Sequence, residues 1–315
     1  MKFDPATDIP DLSGKIILVT GGTAGIGKES VLAFAKHNPA RIYFTGRDSQ
    51  RATATIAEAK TAATSVAVIF LQCDMTSLKA VEAAAKQVIS ESDRLDILMC
   101  NAGIMAVPPA LTKDGYEIQF GTNHIAHALL IKLLLPTLLR TADTPNSDVR
   151  IVSLTSQGFG GHPRGGIIFK DLRTKQSSML SAARYGQSKV ANLLYAAELA
   201  RRYPRITSLS VHPGVVRTGL VEKSSGFTKA LVYITSPFSM MTPTEGARNQ
   251  LWAATGDKTK MINGEYYEPV GMPGRHLRMS RDQKLAGQLW DWTDKEFAGL
   301  SGLISLFPAS MFLLY

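Results

Sequence analysis

The sequence predicts an α/β fold: one doubly wound, mainly parallel sheet with helices on both faces. Three observations predict it. Short runs of β-branched and other apolar residues alternate with longer amphipathic stretches. The short runs are apolar almost without interruption, as strands covered on both faces are. A glycine-rich turn joins the first short run to the first long one.

Taken in order, Lys15–Thr20 (KIILVT), Arg41–Thr45 (RIYFT), Val66–Leu71 (VAVIFL), Asp96–Cys100 (DILMC), Val149–Leu154 (VRIVSL) and Ile206–His212 (ITSLSVH) read as strands. Between them, Ile26–Lys36, Ser49–Ala63, Ser77–Ser90, Tyr116–Leu139 and Tyr185–Arg202 have the length and apolar spacing of helices. No linker, low-complexity segment or short repeat interrupts the rhythm. Residues 1–299 therefore read as a single domain followed by an apolar tail, 300–315.

Composition narrows the classes. The chain has 315 residues, is 45% hydrophobic and 19% charged, which is the balance of a soluble globular protein with a sizeable core. Its 35 basic and 26 acidic residues leave a formal charge of +9, scattered along the chain rather than clustered. A clustered basic face is what nucleic-acid binding needs, so no nucleic-acid partner is expected. Cys73 and Cys100 lie in or beside apolar runs without metal-ligand spacing, and read as buried free thiols of a reducing compartment. The polar N-terminus lacks the apolar segment of a signal peptide, and a cytoplasmic location is expected.

The first turn carries the first chemistry. Thr20-Gly21-Gly22-Thr23-Ala24-Gly25-Ile26-Gly27 follows a strand and opens a helix. Glycines let the backbone approach a pyrophosphate, and a helix N-terminus offers it unpaired N–H groups and the positive end of the dipole.

The Gly-x-x-x-Gly-x-Gly spacing resembles the short-chain dehydrogenase/reductase family, and the likeness extends over about Leu12 to Tyr267. Asn101-Ala102-Gly103, Asn123, Ser156, the Y-x-x-x-K of Tyr185 and Lys189, and Pro213-Gly214 with Thr218 all stand in the family's order at the expected strand ends. The resemblance implies a Rossmann-type sheet of seven strands. It implies cofactor contacts from Gly21, Thr23, Gly25, Ile26, Gly27, Arg47, Asp74, Asn101, Ala102, Gly103, Tyr185, Lys189, Pro213, Gly214 and Thr218. It implies a catalytic set of Asn123, Ser156, Tyr185 and Lys189; no residue spacing calls for a metal.

The chemistry explains the residue types. Hydride transfer to a carbonyl develops an alkoxide, which needs a positioned acid. A phenol titrating near 10 is a weak acid at neutral pH, and a lysine ammonium four residues along the same helix face favours its phenolate. By resemblance, Lys189 also holds the nicotinamide ribose, Ser156 hydrogen-bonds the substrate oxygen and Asn123 holds a water of the proton route. Ser153, Thr155 and Ser156 put three hydroxyls within four residues. Ser153 and Thr155 share a pleat face while Ser156 leaves the strand end, and the family pattern selects Ser156.

Cofactor choice turns on Phe44-Thr45-Gly46-Arg47-Asp48. An acid at this place receives the ribose hydroxyls of NAD. Gly46 has no side chain to repel a 2′-phosphate, and Arg47 can grip one with charge and paired donors, so NADP(H) is expected. Asp48 is the dissenting residue, since it could turn toward the ribose.

The 28 residues between Ser156 and Tyr185, with Gly165-Gly166-Ile167-Ile168-Phe169-Lys170-Asp171-Leu172, resemble the retinol-dehydrogenase-like subgroup, including fungal members. That likeness implies a small lipophilic carbonyl or alcohol as substrate. Residues 217–241, rich in aromatics and methionine, read as a lid over an apolar pocket. The tail reads as an apolar surface for its own domain, a partner subunit or a membrane face, and a homo-oligomer is a further candidate. His124 and His127 are three apart on a helix, but no third ligand accompanies them, and packing accounts for them. An idle NADP-binding regulatory or scaffold protein is the alternative class, disfavoured by the intact set of Asn123, Ser156, Tyr185 and Lys189.

Overall fold

Ile17, Leu18 and Val19 expose no side-chain surface, because helices cover both faces of the strand that carries them. The computed structural model describes residues 3–217, 240–275 and 277–298. Its strands are β1 (Ile16–Val19), β2 (Arg41–Gly46), β3 (Ala67–Gln72), β4 (Ile97–Cys100), β5 (Arg150–Leu154), β6 (Thr207–Val211), β7 (Tyr266–Glu268) and β8 (Met272–Pro273). The sheet order is β3-β2-β1-β4-β5-β6-β7-β8. β1 to β7 run parallel, as the seven expected strands do. β8 adds a two-residue antiparallel edge to β7, too short to leave any periodicity in the sequence.

The helices are α1 (Gly25–Ala35), α2 (Ser49–Ala62), α3 (Leu78–Glu91), α4 (Ile118–Ala142), α5 (Ser181–Arg202), α6 (Pro243–Thr255) and α7 (Gln283–Ala298). One apolar layer joins the sheet to α3, α4, α5 and α7 through residues such as Leu98, Leu134, Leu194 and Leu289. The other joins it to α1, α2 and α6 through Val31, Phe44, Ala52 and Leu251. After β3 the chain returns to the opposite side of β1, so the strand order switches between β1 and β4. In sheets of this kind ligands bind in the crevice at the carboxyl ends on either side of that switch.

α4 is long and apolar enough to cross a bilayer, yet its most apolar window is 78% buried in the fold, which makes it a core helix. Within it, Gly121–Ile125 forms a π-turn, and the Ala126 N–H reaches back five residues to the Gly121 carbonyl. Such turns loosen the helical ladder and re-aim the residues they contain, here Asn123. Cys73 and Cys100 are buried free thiols, and burial pushes the Cys73 thiol up to about 12.

Candidate active site

The cradle starts at the β1–α1 turn. Gly21 has φ of +71° and Gly25 of +56°, the left-handed region that disfavours any side chain. A Cβ on Gly27 would stand 2.3 Å from the Gly21 carbonyl oxygen and 2.4 Å from Asn101 Nδ2, so the turn closes on itself only with glycine there. Ala24, at the N-cap of α1, supplies no side-chain cap. The helix therefore points uncapped N–H groups out of a glycine-rich turn, the geometry that receives a dinucleotide pyrophosphate.

The Asn101-Ala102-Gly103 loop is bound to that turn. Asn101 Nδ2 donates to the Thr20 carbonyl at 2.8 Å, and its Oδ1 accepts from Gln250. The Asn101 side chain thus braces the turn from behind. The backbone N–H groups of Asn101 and Ala102 both donate to Thr20 Oγ1 at 2.9 Å. Thr20 Oγ1 also lies 2.8 Å from His127 Nε2, and His127 Nδ1 lies 3.0 Å from the Asn123 carbonyl oxygen. Burial lowers His127 to about 4, so its ring is neutral at physiological pH. The side-chain amide of Asn123 is engaged at both ends: Oδ1 accepts from Ile104 N–H, and Nδ2 donates to the Ile104 carbonyl and to Ser188 Oγ.

At the end of β5 the three hydroxyls separate. Ser153 lines a small buried cavity with Cys100, His124, Asn192 and Tyr195. Thr155 Oγ1 donates to the Lys189 carbonyl at 2.8 Å. Ser156 stands nearest the Tyr185 ring, a Cβ on Gly158 meeting both side chains, and its Oγ accepts from Gly158 N–H at 3.1 Å. Gly158 is required there, since a Cβ would stand 2.9 Å from Tyr185 Cε1. One turn of α5 further on, Lys189 Nζ lies 5.6 Å from the Tyr185 ring centroid and donates to the Leu154 carbonyl at 3.0 Å. Asn192 Nδ2 donates to the same carbonyl. Burial pushes the Tyr185 phenol up to about 12, against the hydrogen bond from Ser156, and pushes Lys189 down to about 8. The phenol is thus a proton donor at rest, beside an ammonium that is easily discharged.

The far end of the crevice lies at β2 and β3. A Cβ on Gly46 would stand 2.4 Å from Thr23 Cγ2, so Thr23 occupies the space an acidic side chain would need. Arg47 is exposed, and among the described residues it forms no ion pair. Asp48 caps α2, accepting from Arg51 N–H at 3.1 Å and pairing with its guanidinium. Asp74 accepts from Thr76 N–H and pairs with Lys113 at 3.0 Å. Burial raises its carboxyl, but those partners together outweigh burial and hold it below the usual carboxylate range.

Pro213 and Gly214 follow β6, where Gly214 has φ of +92° and packs against Met241. Met241 pairs with Val216 in a parallel bridge. Thr218, nearly all of the 217–241 lid and the 300–315 tail lie outside the described residues. Thr20, His127 and Asn192 were not picked out by their residue types, because each acts through backbone groups that only the fold brings near.

The family model for short chain dehydrogenases matches residues 15–228. An uncharacterized oxidoreductase of Schizosaccharomyces pombe is 38% identical over 302 residues, spanning 94% of this chain and 88% of the relative. Human retinol dehydrogenase 11 is 33% identical over 287 residues, spanning 90% and 86%. The crystal structure of an uncharacterized protein from Mycobacterium paratuberculosis is 28% identical, with a TM-score of 0.71 and coverage of 94% and 97%.

Proposed function

This chain belongs to the short-chain dehydrogenase/reductase family and is retinol-dehydrogenase-like, and from that premise we propose that it is an NADP(H)-dependent oxidoreductase acting on the carbonyl or alcohol of a small lipophilic substrate. The observation that carries this is Tyr185 buried beside Ser156 and above Lys189, next to a glycine-rich cradle that fits a dinucleotide. The bound nicotinamide supplies or accepts the hydride.

Ser156 holds the carbonyl oxygen by its hydroxyl. Tyr185 Oη gives that oxygen a proton as its charge develops, and the Lys189 ammonium below favours the phenolate left behind. The same groups run the reverse direction, with the Tyr185 phenolate taking the alcohol proton. Lys189 also faces the loop that borders the nicotinamide ribose: a Cβ on Gly103 would stand 3.7 Å from Lys189 Nζ and 3.2 Å from Asn123 Oδ1. Gly21, Gly25, Ile26 and Gly27 would hold the pyrophosphate, Asp74 the adenine edge, and Ala102, Pro213 and Gly214 the nicotinamide side. Gly46 and Arg47 favour a 2′-phosphate.

Support for a lipophilic substrate comes from the name of the human relative, a retinol dehydrogenase, and from Leu277, whose Cδ1 would meet a Cβ on Gly160 at 3.5 Å, four residues from Ser156. The apolar composition of residues 300–315 supports contact with a membrane surface, which comparing the partition of full-length and truncated chains would check. The decisive experiment is a panel of lipophilic aldehydes, ketones and alcohols with NADPH or NADP. Turnover by the wild type supports the proposal. Tight NADPH binding without turnover across the panel favours the idle, cofactor-binding alternative.

A further inference from the structure

Hydrogen-bond accounting at Thr20 assigns every proton in a chain that crosses the site. The hydroxyl oxygen already accepts from two backbone N–H groups, those of Asn101 and Ala102. Its lone pairs are spent, so its own proton must be donated. The nearest acceptor is His127 Nε2 at 2.8 Å, and the Met99 carbonyl at 3.4 Å is the poorer choice. On the other side of the ring, the Asn123 carbonyl 3.0 Å away can only accept. His127 therefore carries its proton on Nδ1 and none on Nε2. Burial keeps the ring neutral against the opposing hydrogen bond to the Asn123 carbonyl, with Lys189 adding to the effect of burial, and its buried neighbours Cys100 and His124 carry no opposing charge.

We propose that His127 is a positioning residue that couples the cofactor cradle to the Asn123 end of the catalytic site, its ring bridging the Thr20 hydroxyl and the Asn123 carbonyl. One end of the bridge holds the loop of Asn101 and Ala102 against β1. The other holds the Asn123 carbonyl in the π-turn of α4, where the helical ladder is loosened. Asn123 in turn fixes Ile104 and Ser188, and so sets the distance between the cradle and α5, which carries Tyr185 and Lys189. This inference rests on the proposed oxidoreductase function, and it concerns a histidine that packing alone would otherwise explain.

The two ring nitrogens allow the two ends to be tested apart. In His127→Asn the amide nitrogen stands near the position of Nδ1, keeping the donor to Asn123 and losing the acceptor for Thr20. In His127→Gln the amide oxygen stands near Nε2, keeping the Thr20 end and losing the Asn123 end. His127→Leu loses both. Three quantities are measured for each: NADPH affinity by fluorescence without substrate, kcat with a substrate the wild type turns over, and the thermal unfolding midpoint. We expect His127→Leu to lose about fivefold in each of NADPH affinity and kcat, the effect of one hydrogen bond. His127→Asn should recover kcat but not affinity, and His127→Gln affinity but not kcat. Equal behaviour of the Asn and Gln variants, tracking their unfolding midpoints, would reduce His127 to packing and overturn the proposal. A readout independent of turnover is the long-range nitrogen spectrum of the His127 ring. The expected tautomer is Nδ1–H with a bare Nε2, and an Nε2–H tautomer or a doubly protonated ring overturns the bridge. Absence of NADPH binding by the wild type would instead refute the proposed function, which keeps the two failures distinct.

Discussion

Arg184 and Glu117 form an ion pair in the interior, Nη1 to Oε1 at 2.7 Å, with side chains 1% and 0% exposed. The pair stands where the catalytic machinery is hinged. Arg184 immediately precedes Tyr185, and Glu117 opens the helix that carries Asn123. Glu117 Oε2 also accepts from Phe120 N–H, and Arg184 Nη2 donates to the Val107 carbonyl. Removing one partner leaves a buried charge without compensation. Arg184→Met should therefore lose about 3–5 kcal/mol of stability in denaturant unfolding. The double variant Arg184→Met/Glu117→Leu should regain much of that loss. Equal stability of the single and double variants would show that the Glu117 charge finds another partner.

Tyr185→Phe removes only the phenolic oxygen and keeps the ring that fills the space beside Gly158. Turnover should fall by about 10²- to 10⁴-fold, the usual worth of a general acid, with NADPH affinity unchanged. Near-normal kcat, with the chemical step limiting, would exclude the phenol as the proton donor.

Lys189 sets a pH limit. In the cofactor-free protein the Tyr185 phenol stays protonated up to about 12, while Lys189 discharges near 8. The profile of kcat/KM for carbonyl reduction should therefore lose activity above about pH 8, through loss of the ammonium rather than of the phenolic proton. The stability sign runs the other way. Lys189 is depressed from 10.5, so between about 8 and 10.5 the unfolded chain binds more protons at this group, and its contribution to stability grows as pH rises. A variant with Met at 189 should lose both the basic limb and this local pH dependence.

Arg47→Ala should remove about ten- to a hundredfold of the preference for NADPH over NADH, leaving NADH affinity nearly unchanged, as read by fluorescence titration. Gly46→Asp alone should not yield an NAD enzyme. Its Cβ would collide with Thr23, so the turn must shift before the carboxylate can reach a ribose, and both cofactors should bind more weakly. A clean switch to NADH by Gly46→Asp would show that Thr23 yields at no cost.

Much of this molecule was legible in one dimension, and the reason is local. Strand runs such as Ile16–Val19 are apolar at every position because both pleat faces are covered, so the parallel sheet announces itself. The glycines of the first turn are written by backbone conformation, and Tyr185 and Lys189 share a helix face by spacing alone. The expected strand and helix boundaries lie within a few residues of the observed ones. The choice among Ser153, Thr155 and Ser156 was not local. The family pattern names Ser156, but what each hydroxyl touches, the buried cavity, the Lys189 carbonyl or the Tyr185 ring, comes from other elements. The same holds for Gly46: its lack of a side chain is plain in the sequence, but only the fold shows that Thr23 fills the space an acidic side chain would need. His127 reads as packing in the sequence, because its partners are a hydroxyl 107 residues away and a backbone carbonyl within a π-turn. Periodicity and turn chemistry are properties of neighbours in the chain. Hydrogen-bond partnership across a parallel sheet is set by the crossovers, and only the folded arrangement decides it.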